Sequence, residues 1–358
     1  MCAKSTLVLI VVLFQASLAT AQVGKFEMVK IAEGVFAALR TDPLHDPVDG
    51  NSIVIINDDD VIVVDTNVTP DSAREVIAQI RKLTNKPVRY VINTHWHDDH
   101  IFGNQTYQQA FSQVEFIGHP NTRVDMIKEV VPNMKGYKTR YQKYVTDYSA
   151  FLAKGQQRNG DPLTESQKTE ISQFIEKMKW LAAQLEQTHL VLPTITVEKE
   201  LTLHRGSRVI KIFHPGRGNT RGDLVVYLPQ EKVLITGDLL VNPVPFSIGS
   251  YLGDWIQTLK KLRAMEVNVI LPGHGPAQHN WEYLDLIASL LGSVLQQTQD
   301  AVKRGLSLED TRKAVDLESF RIRIAGDDQL RNAAFKEYFV TPAVERAYKE
   351  AKGEIEKE

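Results

Sequence analysis

Apolar residues along this chain fall into two kinds of pattern, punctuated by Gly, Pro, Asn and Asp. Short continuous runs at 36–39, Ser52–Ile56, Val61–Val64 and Val88–Ile92 have the length of buried strands. Asn57-Asp58-Asp59-Asp60 separates two of them as a turn, so 28–64 reads as β structure ending in a hairpin. The period then changes. Ala73, Val76, Ile77, Ile80 and Leu83 form one stripe at helical spacing, behind Thr69 as the cap and Pro70 at the first helical position. Pro87 breaks the chain before the next strand. Strand-like runs return at 209–213, 224–228, 233–235 and 267–271, with a helical pattern over 254–265 between the last two. Strands alternating with helices place the chain in the α/β class.

Two stretches lack strand runs. In 121–190, Tyr137, Tyr141, Tyr144, Tyr148 and Phe151 recur at steps of four and three, and Ile171, Phe174, Ile175, Met178, Leu181 and Leu185 form a second stripe. A turn over 154–162 and a capping-box pattern, Thr164-x-x-Gln167, lie between them. The pattern predicts an antiparallel helical hairpin whose stripes pack on each other. Its functional reading is a lid, a substrate wall or a homodimer surface. In 281–358, Trp281, Leu284, Ile287, Leu291 and Val294 form another helical stripe, Ser307-x-x-Asp310 resembles a capping box, and the charged residues 349–358 are expected to fray.

Composition narrows the setting. Lys4, an apolar stretch over 7–14 and Ala19-Thr20-Ala21 have the layout of a secretory signal peptide over 1–21, cleaved near Ala21. A secreted or periplasmic protein is the expectation. The one cysteine, Cys2, falls inside that segment, so the mature chain has no disulfide and no thiolate ligand or nucleophile. The formal net charge of −2, without a long basic run, argues against nucleic acid as the main partner. No other apolar run reaches the length of a membrane span, so no stable membrane insertion is expected.

The chemistry concentrates in Asn93-Thr94-His95-Trp96-His97-Asp98-Asp99-His100, directly after the 88–92 strand. Three of the chain's ten histidines stand within six positions, beside carboxylates. One histidine is ordinarily a satisfied core or surface residue. A buried cluster without a partner would cost several kcal/mol per group. Imidazole and carboxylate suit zinc and related divalent metals. A loop curling back from a strand end can aim His95 and His97 at one point, and Asp99 and His100 at a second. The spacing therefore suggests two adjacent metals.

His95-x-His97-x-Asp99-His100 resembles the signature of the metallo-β-lactamase-fold hydrolases. Pro215-Gly216-Arg217-Gly218-Asn219-Thr220, Thr236-Gly237-Asp238 and Pro272-Gly273-His274-Gly275 follow in that superfamily's order and spacing. The resemblance implies an αββα sandwich built from two halves, 22–120 and 191–280, with the 121–190 hairpin inserted and a helical C-terminal extension over 281–358. It implies that His95 and His97 bind a first metal and that Asp99, His100 and His274 bind a second. Asp238 would bridge the two, as in the glyoxalase-like branch, and Asp65 would hold the histidine loop from behind. Two zinc ions are expected, with iron or manganese as alternatives.

One position departs from the pattern: Asn219 stands where the family has a histidine for the first metal. An amide oxygen is a weaker zinc ligand than imidazole. Asn219 would ligate through that oxygen, orient the attacking water, or leave the first metal weakly held; His214, five residues upstream, is a further substitute. The implied reaction is attack by metal-activated hydroxide on the carbonyl of a small ester, thioester, lactone or β-lactam, with Asp99 both ligand and proton acceptor. Phe246 and Tyr251, in the 243–251 stretch after the bridging carboxylate, are candidate pocket walls. An iron-dependent redox enzyme on the same fold, and a non-catalytic binding protein with a partly degenerate site, are the competing functions.

Overall fold

The computed structural model of the chain describes residues 26–40, 44, 48–157 and 160–355, so the expected signal segment 1–21 and its cleavage site lie outside the described residues. Twelve strands among the described residues form two sheets. The first holds β1 (Phe26–Ala32), β2 (Val35–Arg40), β3 (Ser52–Ile56), β4 (Val61–Val64), β5 (Val88–Ile92), β6 (Glu115–Gly118) and β7 (Ile195–Thr196), in chain order. Its first four strands are an antiparallel meander, and β4 to β7 run parallel. The second sheet holds β8 (Glu200–Arg205), β9 (Arg208–Phe213), β10 (Val225–Leu228), β11 (Val233–Val241) and β12 (Val269–His274). Only its β11–β12 pair is parallel.

Side chains alternate across each strand, and both faces are covered, which is why the strand sequences read as unbroken apolar runs. Ile53, Ile55, Ile62 and Val64 point between the sheets and meet Ile210, Ile212, Val226, Ile235 and Leu271. Their neighbours Val54, Val61 and Val63 point outward onto Ala73, Val76, Ile77 and Ile80 of the Pro70–Leu83 helix. On the far side, Leu234, Leu240 and Ile270 pack under the Leu252–Arg263 and Glu282–Lys303 helices and the C-terminal helices. The layers are therefore helix, sheet, sheet, helix. Each fully buried aliphatic side chain contributes about 1.5–3 kcal/mol.

Local signals set the helix boundaries. Thr69 Oγ1 accepts from Ser72 N at 3.1 Å, with Pro70 in the first helical turn. The expected stripe stops short of its end, because Leu83, the last residue of that helix, is 41% exposed. In the insertion, Val131–Lys154 and Glu165–Gln187 pair as the expected hairpin. Its capping box is complete: Gln167 N donates to Thr164 Oγ1 at 3.2 Å, and Thr164 N donates to Gln167 Oε1 at 3.0 Å. Phe174 packs on Tyr148, with ring centroids 4.5 Å apart, so the two stripes do cover each other. At the base of the hairpin, Tyr137 and Tyr141 join Trp96, Ile101 and Phe102 of the histidine loop in a separate apolar cluster.

Strands β6, β7 and β8 have no counterpart among the sequence expectations; β6 and β7 are short, and β8 is nowhere fully buried. At the C-terminus the structure corrects the expectation of fraying for residues 349–352, while 356–358 lie outside the described residues. Residues 349–352 belong to the Thr341–Lys352 helix, where Lys349 pairs with Glu345 and Glu350 accepts from two backbone amides. No helix among the described residues is long and apolar enough to cross a membrane.

Candidate metal centre

The histidine loop leaves β5 and is fixed at both ends. Asp65 N donates to Ile92 O at 2.9 Å, which ties β4 to the start of the loop. Asp65 itself takes a left-handed backbone conformation, φ 61°, a region that Asp tolerates better than most residues. That turn aims its carboxylate back at the loop. Oδ1 accepts from Thr94 N at 2.8 Å, and Oδ2 accepts from Thr94 Oγ1 at 2.8 Å and lies 2.8 Å from His100 Nδ1. The His100 carbonyl is gripped as well, by Thr66 N at 3.0 Å and Asn93 Nδ2 at 3.2 Å. A four-residue helical turn, Asp98–Ile101, then carries Asp99 and His100 to the inside.

Asp238 and His274 come from the other sheet. Gly237, φ 52°, sits against Thr94, where a Cβ would lie 2.6 Å from the threonine Cβ. Gly273 lets β12 pass so close to Asp238 that a Cβ there would lie 2.0 Å from Oδ1. Asn51 locks the sheets together at this level. Its backbone N donates to Gly273 O at 2.7 Å, and its side-chain amide donates to Pro272 O at 3.0 Å and Gly275 O at 2.9 Å.

These elements bring six ligand-type side chains into two adjoining nests. His95, His97 and Asp238 form one; Asp99, His100 and His274 form the other. Within each nest the ligand atoms lie within 4.8 Å of one another. His95 Nε2 and His97 Nδ1 are 2.9 Å apart, and Asp238 Oδ2 is 3.6 Å from His95 Nε2. Asp238 Oδ1 faces the other way, 3.2 Å from His100 Nε2 and 3.5 Å from His274 Nε2. Asp99 Oδ2 closes the second nest, 3.0 Å from His274 Nε2. All six are buried except His97, which is half-buried.

The charges fit a cation. Burial opposes ionisation of Asp99 and Asp238, but nearby imidazoles outweigh it and hold both carboxyls below the usual range; for Asp99 these are His100 and His274. Burial opposes protonation of His100, yet Asp99, Asp238 and Asp65 hold its pKa well above the ordinary value. His274 is raised against burial in the same manner, chiefly by Asp238 and Asp99. His97 is pushed down to about 3 by its partial burial and by the charge of His95. His100 Nε2 and Asp238 Oδ1 are buried and face each other at 3.2 Å as an ion pair, without hydrogen-bond geometry to any group. A divalent ion held by these donors would take the place of the proton between them, and the nitrogen and oxygen donor set suits zinc-type metals.

Asn219 is 1% exposed. Its Nδ2 donates to Phe246 O at 2.8 Å, while Oδ1 is buried without a hydrogen-bond partner. His214 does not enter either nest. Its ring lies against His119, centroids 4.4 Å apart, and its Nδ1 is 2.8 Å from Asp223 O. Asp98 also stands outside the nests; burial and the charge of Asp99 raise it to about 6. Phe246 meets His97 edge to face, centroids 5.2 Å apart. Tyr251 is placed differently, with the guanidinium groups of Arg217 and Arg346 over its ring, 4.4 and 5.0 Å from the centroid.

Several supporting residues escaped the sequence reading. Thr94 links Asp65 to His95, whose Nδ1 is 2.9 Å from its hydroxyl. Asn93 and Asn104 exchange side-chain hydrogen bonds of 2.8 and 3.1 Å behind the loop. The carbonyls that accept from the Asn51 side-chain amide stand more than 220 positions away, so no local pattern could reveal that link between the sheets.

The fold and the site together define an αββα sandwich protein with a His/Asp metal-binding centre between its sheets. The chain belongs to the metallo-beta-lactamase superfamily, whose family model matches residues 45–274. Among curated proteins it is similar to the linear primary-alkylsulfatase of Pseudomonas sp. (strain ATCC 19151), 24% identical over 249 residues, which are 68% of this chain and 43% of that one. It is also similar to the metallo-beta-lactamase type 2 of Bacillus cereus, 23% identical over 236 residues, 64% of this chain and 68% of that one. The chain thus spans less than half the length of the alkylsulfatase. Among solved structures, a metallo-beta-lactamase from Pontibacter korlensis superposes with a TM-score of 0.52 at 20% identity, covering 75% of this chain and 99% of that one. A stereoselective inverting sec-alkylsulfatase from Pseudomonas sp. gives 0.63 at 15% identity, covering 91% of this chain and 50% of that one.

Proposed function

We propose that the protein is a metal-dependent hydrolase of small molecules, with zinc in both nests. The observation that carries this reading is the Asp238 carboxylate, which turns one oxygen to His95 and the other to His100 and His274. A carboxylate can serve two cations at once; an imidazole cannot. When bound, such a metal pair supplies Lewis acidity and brings the deprotonation of water to about pH 7.

The protein's own groups do the rest. Asp65 orients His100 through Nδ1, leaving Nε2 for the second nest. Asp99, held ionised, can accept a proton from the attacking water. Phe246 and the apolar base of the hairpin exclude bulk water beside His97. The scissile group is a carbonyl of an ester, thioester, lactone or β-lactam.

A second reading, a sulfuric ester, draws support from the alkylsulfatase superposition. That match covers 91% of this chain, against 75% for the metallo-beta-lactamase from Pontibacter korlensis. Export and cleavage near Ala21 remain part of the proposal, supported by the residue pattern of 1–21; the N-terminal sequence of protein recovered from outside the cytoplasm tests it.

The function is tested with purified protein of known metal content, assayed on nitrocefin, a thioester, a lactone, a carboxylic ester and an alkyl sulfate. Turnover of at least one, abolished by a chelator and restored by zinc, manganese or iron, is the expected result. A protein that binds none of these metals more tightly than millimolar would overturn the reading.

A further inference from the structure

Asn219 occupies the place of an expected imidazole, and its amide is not free to turn. A backbone carbonyl can only accept, so the bond to Phe246 O assigns the NH2 group to that side and leaves Oδ1 on the other. The orientation of Asn219 thus depends on where the 243–251 loop sits.

That loop is held by the C-terminus of the chain. Ser247 N donates to Tyr338 O at 2.9 Å, and Ser247 Oγ donates to Phe339 O at 2.9 Å. The Phe246 and Tyr338 rings are 6.1 Å apart. At the other end of the loop, Arg346 Nε donates to Ser250 O at 2.5 Å and the guanidinium covers Tyr251. Glu350 then accepts from Leu252 N and Gly253 N, at 2.7 and 3.1 Å. The gripping segment is itself anchored: Phe335, Phe339, Ala343, Val344 and Ala347 are buried in the core with Leu284, Ile287 and Leu291. On the site side the loop makes two bonds to the Asn219 turn, Phe246 O with Asn219 Nδ2 and Tyr251 N with Gly218 O at 2.9 Å. It also lays Phe246 on His97.

We propose that the C-terminal segment 335–350 is a positioning element for the first half of the metal centre. It acts through the 243–251 loop to fix the Asn219 amide, whose buried, unpartnered Oδ1 would then serve a metal held by His95, His97 and Asp238. A neutral amide oxygen is a weak ligand, so its contribution depends on being held in place beforehand. Ser247 and Arg346 are positioning residues in this scheme. The inference rests on the proposed two-metal centre.

The test is a titration of metal-free full-length protein with Co2+, followed by its visible absorption and by competition with a chelating indicator, alongside thermal melts. The wild type is expected to take up two equivalents of different affinity. Ser247→Ala should weaken one equivalent by about fivefold or more and shift its absorption, leaving the other unchanged. Arg346→Met, at the opposite end of the loop, should weaken the same equivalent, and it carries the test if Ser247→Ala folds poorly. With Asn219→Ala in place, Ser247→Ala should have no further effect on metal uptake, because the coupled group is gone. Equal weakening of both equivalents would mark a merely structural role and overturn the inference. So would unchanged affinities in both variants, or additivity with Asn219→Ala. If the wild type itself takes up fewer than two equivalents, the two-metal reading falls and this inference with it.

Discussion

Asp65 Oδ2 lies 2.8 Å from His100 Nδ1 at the back of the site, both groups essentially out of water. The same carboxylate accepts from Thr94 N and Thr94 Oγ1. It therefore fixes the His100 ring and the start of the histidine loop at once. Asp65→Asn keeps the shape but cannot accept in the same manner through both positions. Affinity for the metal of the second nest should fall by about 10–100-fold, the usual effect of losing such a supporting partner. Competition with a chelating indicator measures it. Unchanged affinity would mean His100 is oriented without Asp65.

Gly273 tests the close approach of the two sheets. A methyl group there would stand 2.0 Å from Asp238 Oδ1. Gly273→Ala should displace Asp238 and reduce uptake at both nests, because this carboxylate serves each. Metal stoichiometry after dialysis is the readout, with circular dichroism as the check on folding. Two equivalents bound at wild-type affinity would show that Asp238 is not needed where it stands.

Asn219→His restores a stronger donor at the position that departs from the family pattern. The first metal should bind more tightly, and each tenfold gain corresponds to about 1.4 kcal/mol. Calorimetric titration decides; equal affinity and occupancy would place Asn219 outside the metal shell.

Metal uptake should release protons and weaken in acid. His100 and His274 have raised pKa values in the metal-free protein, and only their neutral forms can ligate. For the metal-free protein these raised values contribute stability below about pH 6.5, lost as pH rises through the folded-state values. Metal affinity follows the opposite sign and falls as pH drops through the same range. Calorimetry near neutral pH in two buffers of different ionisation heat should report on the order of one or two protons released. No release would contradict the raised values.

Much of this molecule was legible from local pattern. The capped 70–83 helix, the 52–64 hairpin and the complete Thr164–Gln167 capping box all follow from neighbours within a few positions. His95, His97, Asp99 and His100 are also legible, because one loop carries them. Strand β8 was less so, since no residue in it is fully buried and its apolar contrast is weak. The C-terminal helix was misjudged at its end. A charged tail reads as solvated, whereas Glu350 is used to accept from the amides that open the Leu252–Arg263 helix.

By itself the sequence determined the types of the longer, strongly patterned elements, the α/β class and the donor inventory, because strand and helix periods and ligand chemistry are properties of short windows. Tertiary structure decided the rest. It set which oxygen of Asp238 faces which nest, how closely Gly273 lets the sheets approach, and which way the Asn219 amide turns. Each depends on contacts between segments far apart in the chain, such as Asn219 with Phe246 and Ser247 with Phe339, and no periodicity encodes a distance between them.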